Sequence, residues 1–173
     1  MKVRSDRNAA DPMLRLLLLV LLSSITLQAS ALSSDRQQPI QVEADSLEVR
    51  EMEKISIYSG NVHLKQGSLE IRSEQLTLFF NDNKEITMMK MTGSPATFRQ
   101  LDDLQQEIHG EGEQIEYNQS ESTLILLDNA RVTHVGDTIE SNKIQIDTIT
   151  GGMKAGGTNS EDRVRMLIQP TQE

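Results

Sequence analysis

Apolar and polar residues alternate along most of this chain. Ile40-Gln41-Val42-Glu43-Ala44 is apolar at every second position, and so are Leu47-Glu48-Val49, Ile55-Ser56-Ile57 and Val62-His63-Leu64. Leu69-Glu70-Ile71, Leu76-Thr77-Leu78-Phe79-Phe80, Ile115-Glu116-Tyr117, Ile144-Gln145-Ile146 and Val164-Arg165-Met166 continue the habit. A period of two puts apolar side chains on one face of a strand and polar ones on the other. Ser59-Gly60-Asn61, Gln66-Gly67-Ser68, Asn81-Asp82-Asn83, Asp128-Asn129 and Val135-Gly136-Asp137 separate the runs and predict turns. The polar stretch 101–107 predicts a loop or hairpin tip. No helical spacing follows Ala31, so no amphipathic helix is available to cover the apolar faces. They must meet each other, as in an antiparallel sandwich, jelly roll or barrel.

The strand pattern occurs twice. A shift of 68 positions lays Ile40 on Ile108, Glu43 on Glu111, Glu48 on Glu116, Glu53 on Glu121, Ile57 on Ile125, Asn61 on Asn129, Ile71 on Ile139 and Ser73 on Ser141. Apolar positions correspond as well, with Leu47 on Ile115, Val49 on Tyr117, Leu64 on Val132, Leu76 on Ile144 and Leu78 on Ile146. A repeated strand unit stacks its copies to bury a face that neither buries alone. Gly151-Gly152 and Gly156-Gly157 read as a flexible tip near the end. A last strand over 163–168 stops at Pro170, and Pro39 precedes the first; proline is tolerated at such margins because no ladder donor is needed there.

The N-terminal segment departs from this pattern. Lys2, Arg4 and Arg7 give a positive start, Leu16 begins the run LLLLVLL, and Ala29-Ser30-Ala31 presents small residues at a cleavage position. That is the layout of a secretory signal peptide over 1–31. Ser23, Ser24, Thr26 and Gln28 interrupt the run before the ~20 apolar residues a membrane span needs. Cleavage after Ala31 leaves 142 residues. It removes four basic and two acidic residues from 17 and 26, so 13 basic face 24 acidic and the net charge is −11. An exported product with no later span is expected in the periplasm. Such an acidic chain is a poor ligand for nucleic acid, since backbone neutralisation is unavailable to it. Aromatic residues make up only 3%, so the interior must be aliphatic.

Candidate chemistry is sparse. The absence of cysteine excludes disulfides, zinc thiolates and thiol catalysis. His63, His109 and His134 are scattered without ligand spacing, and read as solvated strand histidines. Glu111 and Glu113 flank Gly112 on one side of a strand, the wet side. Asp102-Asp103 lacks further oxygen ligands at calcium-loop spacing. No glycine-rich loop opens a helix and no Gly-x-Ser-x-Gly elbow occurs. Neither a catalytic residue, a metal site nor a cofactor is expected, and an enzyme is the disfavoured class.

Gln38-Pro39-Ile40-Gln41-Val42-Glu43-Ala44-Asp45, followed by Tyr58-Ser59-Gly60-Asn61-Val62 and Gln66-Gly67, resembles the OstA-like proteins, and among them the periplasmic bridge proteins of lipopolysaccharide transport. Ser94-Pro95-Ala96-Thr97-Phe98 and the segment 110–117 fit the same family. The resemblance spans 38–170, a single domain followed by a short tail at 171–173. It implies an all-β fold, an open, twisted antiparallel β-jellyroll, here built from two repeat-related halves. It implies that acyl chains of lipopolysaccharide lie in a groove between two sheets. The apolar residues in that position are Ile40, Val42, Val49, Leu64, Ile71, Leu76, Leu78, Phe98, Tyr117 and Ile144, with Lys65, Arg72 and Arg99 as possible contacts at the rim.

The partners implied are lipopolysaccharide, an anchored jellyroll subunit of the inner-membrane transport complex at the N-terminal edge 40–44, an outer-membrane translocon at the C-terminal edge 163–168, and further copies joined end to end. Two readings of the apolar faces stay open in the sequence itself, a trough for hydrocarbon or a dry core. An envelope adaptor that binds only protein partners is the alternative function.

Overall fold

The computed structural model describes Asp35 and residues 38–156 and 162–170. The expected leader 1–31 with its cleavage position, Gly157 of the second glycine pair and the tail 171–173 lie outside the described residues. The described residues form ten strands in order: β1 (Gln41–Glu43), β2 (Ser46–Arg50), β3 (Ile55–Gln66), β4 (Leu69–Phe80), β5 (Ile86–Leu101), β6 (Glu107–Asn118), β7 (Thr123–His134), β8 (Asp137–Asp147), β9 (Met153–Ala155) and β10 (Arg165–Leu167). All pairings are antiparallel. Strands β3 to β8 pair in chain order, and the sheet is not closed. β1 and β2 both pair with β3 at one margin; β9 and β10 both pair with β8 at the other.

Each long strand is bent near its middle. Register shifts fall between Ser59 and Val62, Arg72 and Gln75, Thr92 and Ala96, Glu111 and Gln114, and Leu127 and Ala130. Extra residues on one strand of a pair bend it and raise its twist. Because the bulges lie side by side, they fold the whole sheet along one line into two layers. The first layer holds the arms 62–66, 69–73, 96–101, 107–112, 130–134 and 137–141; the second holds the arms on the other side of the fold line.

Two segments expected as turns are bulges instead. Gly60 and Asn61 have φ of 81° and 45°, and Asp128 and Asn129 have 58° and 55°. Each left-handed pair absorbs one extra residue relative to the neighbouring strand, and the strand then continues. Glycine, asparagine and aspartate are turn residues because they tolerate this backbone, and a bulge draws on the same tolerance. The hairpins at Gly67, at 81–85, at 101–107 and at Val135-Gly136 are genuine chain reversals, as the sequence predicts.

The shift of 68 survives in the register. Leu64 pairs with Ile71 and Ile57 with Thr77; in the second half Val132 pairs with Ile139 and Ile125 with Gln145. The core is one cluster drawn from both layers, including Leu64, Ile71, Leu76, Met91, Ile115, Leu126 and Ile144, each essentially inaccessible to solvent. Among the described residues no helix is long and apolar enough to cross a membrane.

Candidate apolar groove between the layers

The inward face is built from cross-strand rows. Val42 lies opposite Leu64, which lies opposite Ile71, and the row continues through Phe98, Gly110, Val132 and Ile139 to Met166. In the second layer one row runs from Leu47 through Leu76 and Ile115 to Ala155. Its neighbour runs from Val49 through Leu78 and Tyr117 to Met153. Directly opposed side chains on one face touch, so each row is a strip of hydrocarbon crossing the whole molecule.

Of the residues expected in the groove, Leu64, Ile71, Leu76, Leu78, Phe98, Tyr117 and Ile144 come together in the buried cluster. Ile40 and Val42 pack against it at the β1 margin, partly covered. Val49 stands apart on β2, 58% exposed, at the open end of its row. The inner side chains of the two layers close on one another. At the mouth opposite the fold line a narrow cavity of about 20 Å³ is lined by Asp35, Gln66, Leu69, Gln100, Tyr117, Leu124 and Thr148, bringing the two layers together.

Several groove-face residues went unnoticed in the sequence. Met89 and Met91 are fully buried, and the alternation Met89-Lys90-Met91 carried their signal. Leu124 and Leu126 are equally buried, but Leu124-Ile125-Leu126-Leu127 is apolar throughout and hides its face. Gly110 gives no apolar signal at all. It sits beneath Phe98, and a Cβ there would come within 2.1 Å of the ring.

The outer face of the first layer carries charge. Glu70 lies 3.2 Å from Arg99, 3.7 Å from Lys65 and 3.8 Å from His63. Burial pushes its carboxyl up, but Arg99, Lys65 and His63 outweigh that and hold it below the usual range. Arg131 bridges Glu111 and Glu140 at 3.3 and 2.8 Å. Lys65 and Arg99 are therefore engaged with carboxylates on the outward face, where Arg72 is also exposed. Asp102 accepts hydrogen bonds from the backbone N–H groups of Gln106 and Leu104, and lies 2.9 Å from His134 Nε2. The Gln106 N–H is the main reason its carboxyl is held low, against the effect of burial and with help from His134. Among the described residues no cluster of His, Asp and Glu is placed to hold a metal ion.

A bent, open sheet with an aliphatic inner face and a charged outer one has close counterparts. The family model of the LptA/(LptD N-terminal domain) LPS transport proteins matches residues 41–152, from β1 to the turn before β9. This chain belongs to that family. The lipopolysaccharide export system protein LptH of Pseudomonas aeruginosa is 34% identical over 149 residues, which cover 82% of this chain and 85% of the relative. The lipopolysaccharide export system protein LptA of Escherichia coli K12 is 28% identical over 160 residues, covering 89% and 85%. The crystal structure of LptH, described as the LptA homologous periplasmic component of the lipopolysaccharide transport device of P. aeruginosa, superposes with a TM-score of 0.72. It has 34% identity and covers 79% of this chain and 99% of the other. The β-jellyroll implied by the resemblance is thus the LptA/LptH fold.

Proposed function

We propose that this chain is a periplasmic carrier that shelters the acyl chains of lipopolysaccharide between its layers and passes them from an inner-membrane transporter to an outer-membrane translocon. The observation that carries the reading is the continuity of the inward rows, predominantly apolar from one open margin to the other. In this reading the leader 1–31 is removed on export, and 38–170 is the whole working domain. The β1 margin receives the anchored inner-membrane subunit or a preceding copy; the β10 margin receives the next copy or the translocon. An unpaired strand edge is a ready template for such a joint.

Energetics favour a carrier whose interior is filled when idle. Burying hydrocarbon is worth ~0.8 kcal/mol per methylene, so a twelve-carbon chain entering an empty dry slot would gain about 10 kcal/mol. Several chains together would never leave. Here an entering chain must part Leu76, Met91, Phe98 and their neighbours, and the contacts they lose offset much of the gain. Methionine and leucine side chains readjust at low cost, which suits that exchange. Binding is then moderate, and movement is supplied by the energy-driven step upstream. The acidic surface agrees with phosphorylated sugars staying in solvent outside the mouth.

Replacing Phe98 with a photoreactive amino acid in cells tests the placement, with the outward Thr97 as control. Lipopolysaccharide adducts at 98 and not at 97 are expected. Equal labelling, or none at 98 with a folded protein, overturns the groove. The tight interior is also what a protein-only adaptor would need; purified chain without lipopolysaccharide in native mass spectrometry after gentle extraction would favour that second reading.

A further inference from the structure

The two margins of the sheet carry opposite charge. On the outward face of the first layer, the row that begins at Glu43 on β1 passes through Arg72, Glu111, Arg131 and Glu140 and ends at Arg165 on β10. In the second layer the outward row begins at Glu48 on β2 and ends at Lys154 on β9. Each row thus starts with a carboxylate and finishes with a cation. Among the described residues, no hydrogen bond or ion pair engages the side chains of Glu43, Arg165 or Lys154. Glu48 is held by Arg50 on its own strand, at 2.7 and 3.4 Å, in an exposed pair that an incoming cation can share. Apolar side chains accompany these charges: Leu47 and Val49 are exposed at one margin, and Met166, Leu167 and Ile168 at the other.

Resting on the end-to-end reading above, we propose that β10 of one copy pairs antiparallel with β1 of the next in the register Met166 opposite Val42, which sets Arg165 against Glu43 and Lys154 against Glu48. Strand direction alternates along the path from β1 to β10, so the two edges meet antiparallel without rearrangement. This register continues every row. Met166 extends the inward row into Val42 of the neighbour, Met153 into Val49, and Ala155 into Leu47.

The molecule contains a template for this joint. β5 closes the first repeat unit and β6 opens the second, and they pair with Thr97 opposite Glu111 and Phe98 opposite Gly110. Moving the first member forward by 68 and the second back by 68 gives Arg165 opposite Glu43 and Met166 opposite Val42, the same register. The sizes also compensate. Inside the molecule a phenylalanine ring lies over a glycine; between copies a methionine lies over a valine. The internal pair Thr97 and Glu111 is uncharged on one side, whereas the joint gains an ion pair. Like-charged edges disfavour head-to-head and tail-to-tail contacts, so the charges also set polarity.

The test uses the mature chain at low salt, in sedimentation velocity. The double variant Glu43→Arg/Glu48→Lys and the double variant Arg165→Glu/Lys154→Glu each place like charges across the joint. Each is expected to weaken self-association by about tenfold or more. An equimolar mixture of the two is expected to associate again, as is a single chain carrying all four changes. Raising salt to 1 M, where the Debye length falls to about 3 Å, should erase the differences.

Register is read separately by disulfides, because the chain has no cysteine of its own. Val42→Cys mixed with Met166→Cys should crosslink between copies, and Gln41→Cys mixed with Met166→Cys should not. Wild-type assembly that survives charge reversal undiminished, or crosslinks equally at 41 and 42, overturns this register while leaving end-to-end assembly standing. A wild-type chain that stays monomeric and uncrosslinked at all concentrations overturns end-to-end assembly itself, and the joint with it.

Discussion

The first repeat unit and the second solve one problem with different residues. Both bend the strand after the first hairpin arm with a left-handed pair, Gly60-Asn61 in one and Asp128-Asn129 in the other. Both lock that bend by an asparagine amide donating to a carboxylate on the preceding strand segment: Asn61 to Asp45 and Asn129 to Glu113, each at 2.8 Å. Both bury a serine hydroxyl without a protein partner beside the fold line, Ser73 and Ser141. Each ties its first tight hairpin to an aspartate that precedes the unit's first strand, Asp35 to Ser68 and Asp102 to His134. The halves differ at the outside. The inner strands β5 and β6 run as single strands, whereas the counterpart of β6 at the N-terminal margin is broken into β1 and β2. Strand continuity is kept inside the sheet and relaxed at that open margin.

The largest expected effect asks whether the halves share one core. Leu76 and Ile144 occupy equivalent positions and are both wholly buried. Truncation of either to alanine should cost about 2–5 kcal/mol, lost transfer energy plus the cavity left behind. Urea unfolding followed by circular dichroism should show a single transition displaced by a similar amount in both variants. Two separated transitions, or a loss confined to one variant, would mean that the halves fold as independent units.

How much of this was readable from the chain depends on which kind of signal each feature leaves. Alternation exposed the strands, and the shift of 68 exposed the duplication, because both are written in apolar positions. Two bends were misread as turns, since Gly60-Asn61 and Asp128-Asn129 carry the residues of either feature and only pairing partners separate them. Leu124 and Leu126 were hidden in an unbroken apolar run. Gly110 was invisible, because its role is the space it leaves for Phe98, and absence of volume has no sequence pattern. Whether the inner faces meet also lay beyond the sequence, since a strand records which face is apolar but not how far away the opposite layer lies. The expected groove appears in this structure as a closed seam of side chains.

Next in size is the bend itself. Asn61→Ala and Asn129→Ala each remove the amide that holds the carboxylate and put a β-carbon without compensation at positive φ. A loss of about 1–2 kcal/mol in urea unfolding is expected from each, against a much smaller loss for Asn→Gly at the same sites. If alanine and glycine behave alike, the side-chain hydrogen bond dominates and backbone conformation does not.

A smaller difference should appear in acid. The Asp102 carboxyl is held low in the folded chain, chiefly by the Gln106 N–H. A depressed carboxyl contributes stability that is complete above its unfolded value, about 4, and is lost as pH falls through the lower folded value. The tip at 101–107 should therefore loosen below about pH 4. Hydrogen exchange of the Leu104 and Gln106 amides would register it, and Asp102→Asn should flatten that dependence.

The smallest effect has the opposite sign. In the β7–β8 hairpin Val135 and Gly136 have φ of 51° and 88°. Two residues at positive φ are what a tight hairpin of the favoured hand requires, and Asn-Gly is the pair that fits it best. A β-branched residue at that first position is strained. The first unit has Gly67 at the corresponding place, with φ of 61°, but it is not free to change: a Cβ there would lie 2.1 Å from Asp35 Oδ1 and 2.9 Å from the Asp35 backbone. Val135 is 62% exposed and meets no such neighbour. Val135→Asn should therefore stabilise the protein by about 0.5–1 kcal/mol, while Gly67→Asn should destabilise it. Equal and opposite outcomes at equivalent turns would show that the second unit tolerates a local fault because its turn residue Val135 is exposed. A neutral Val135→Asn would place the strain elsewhere.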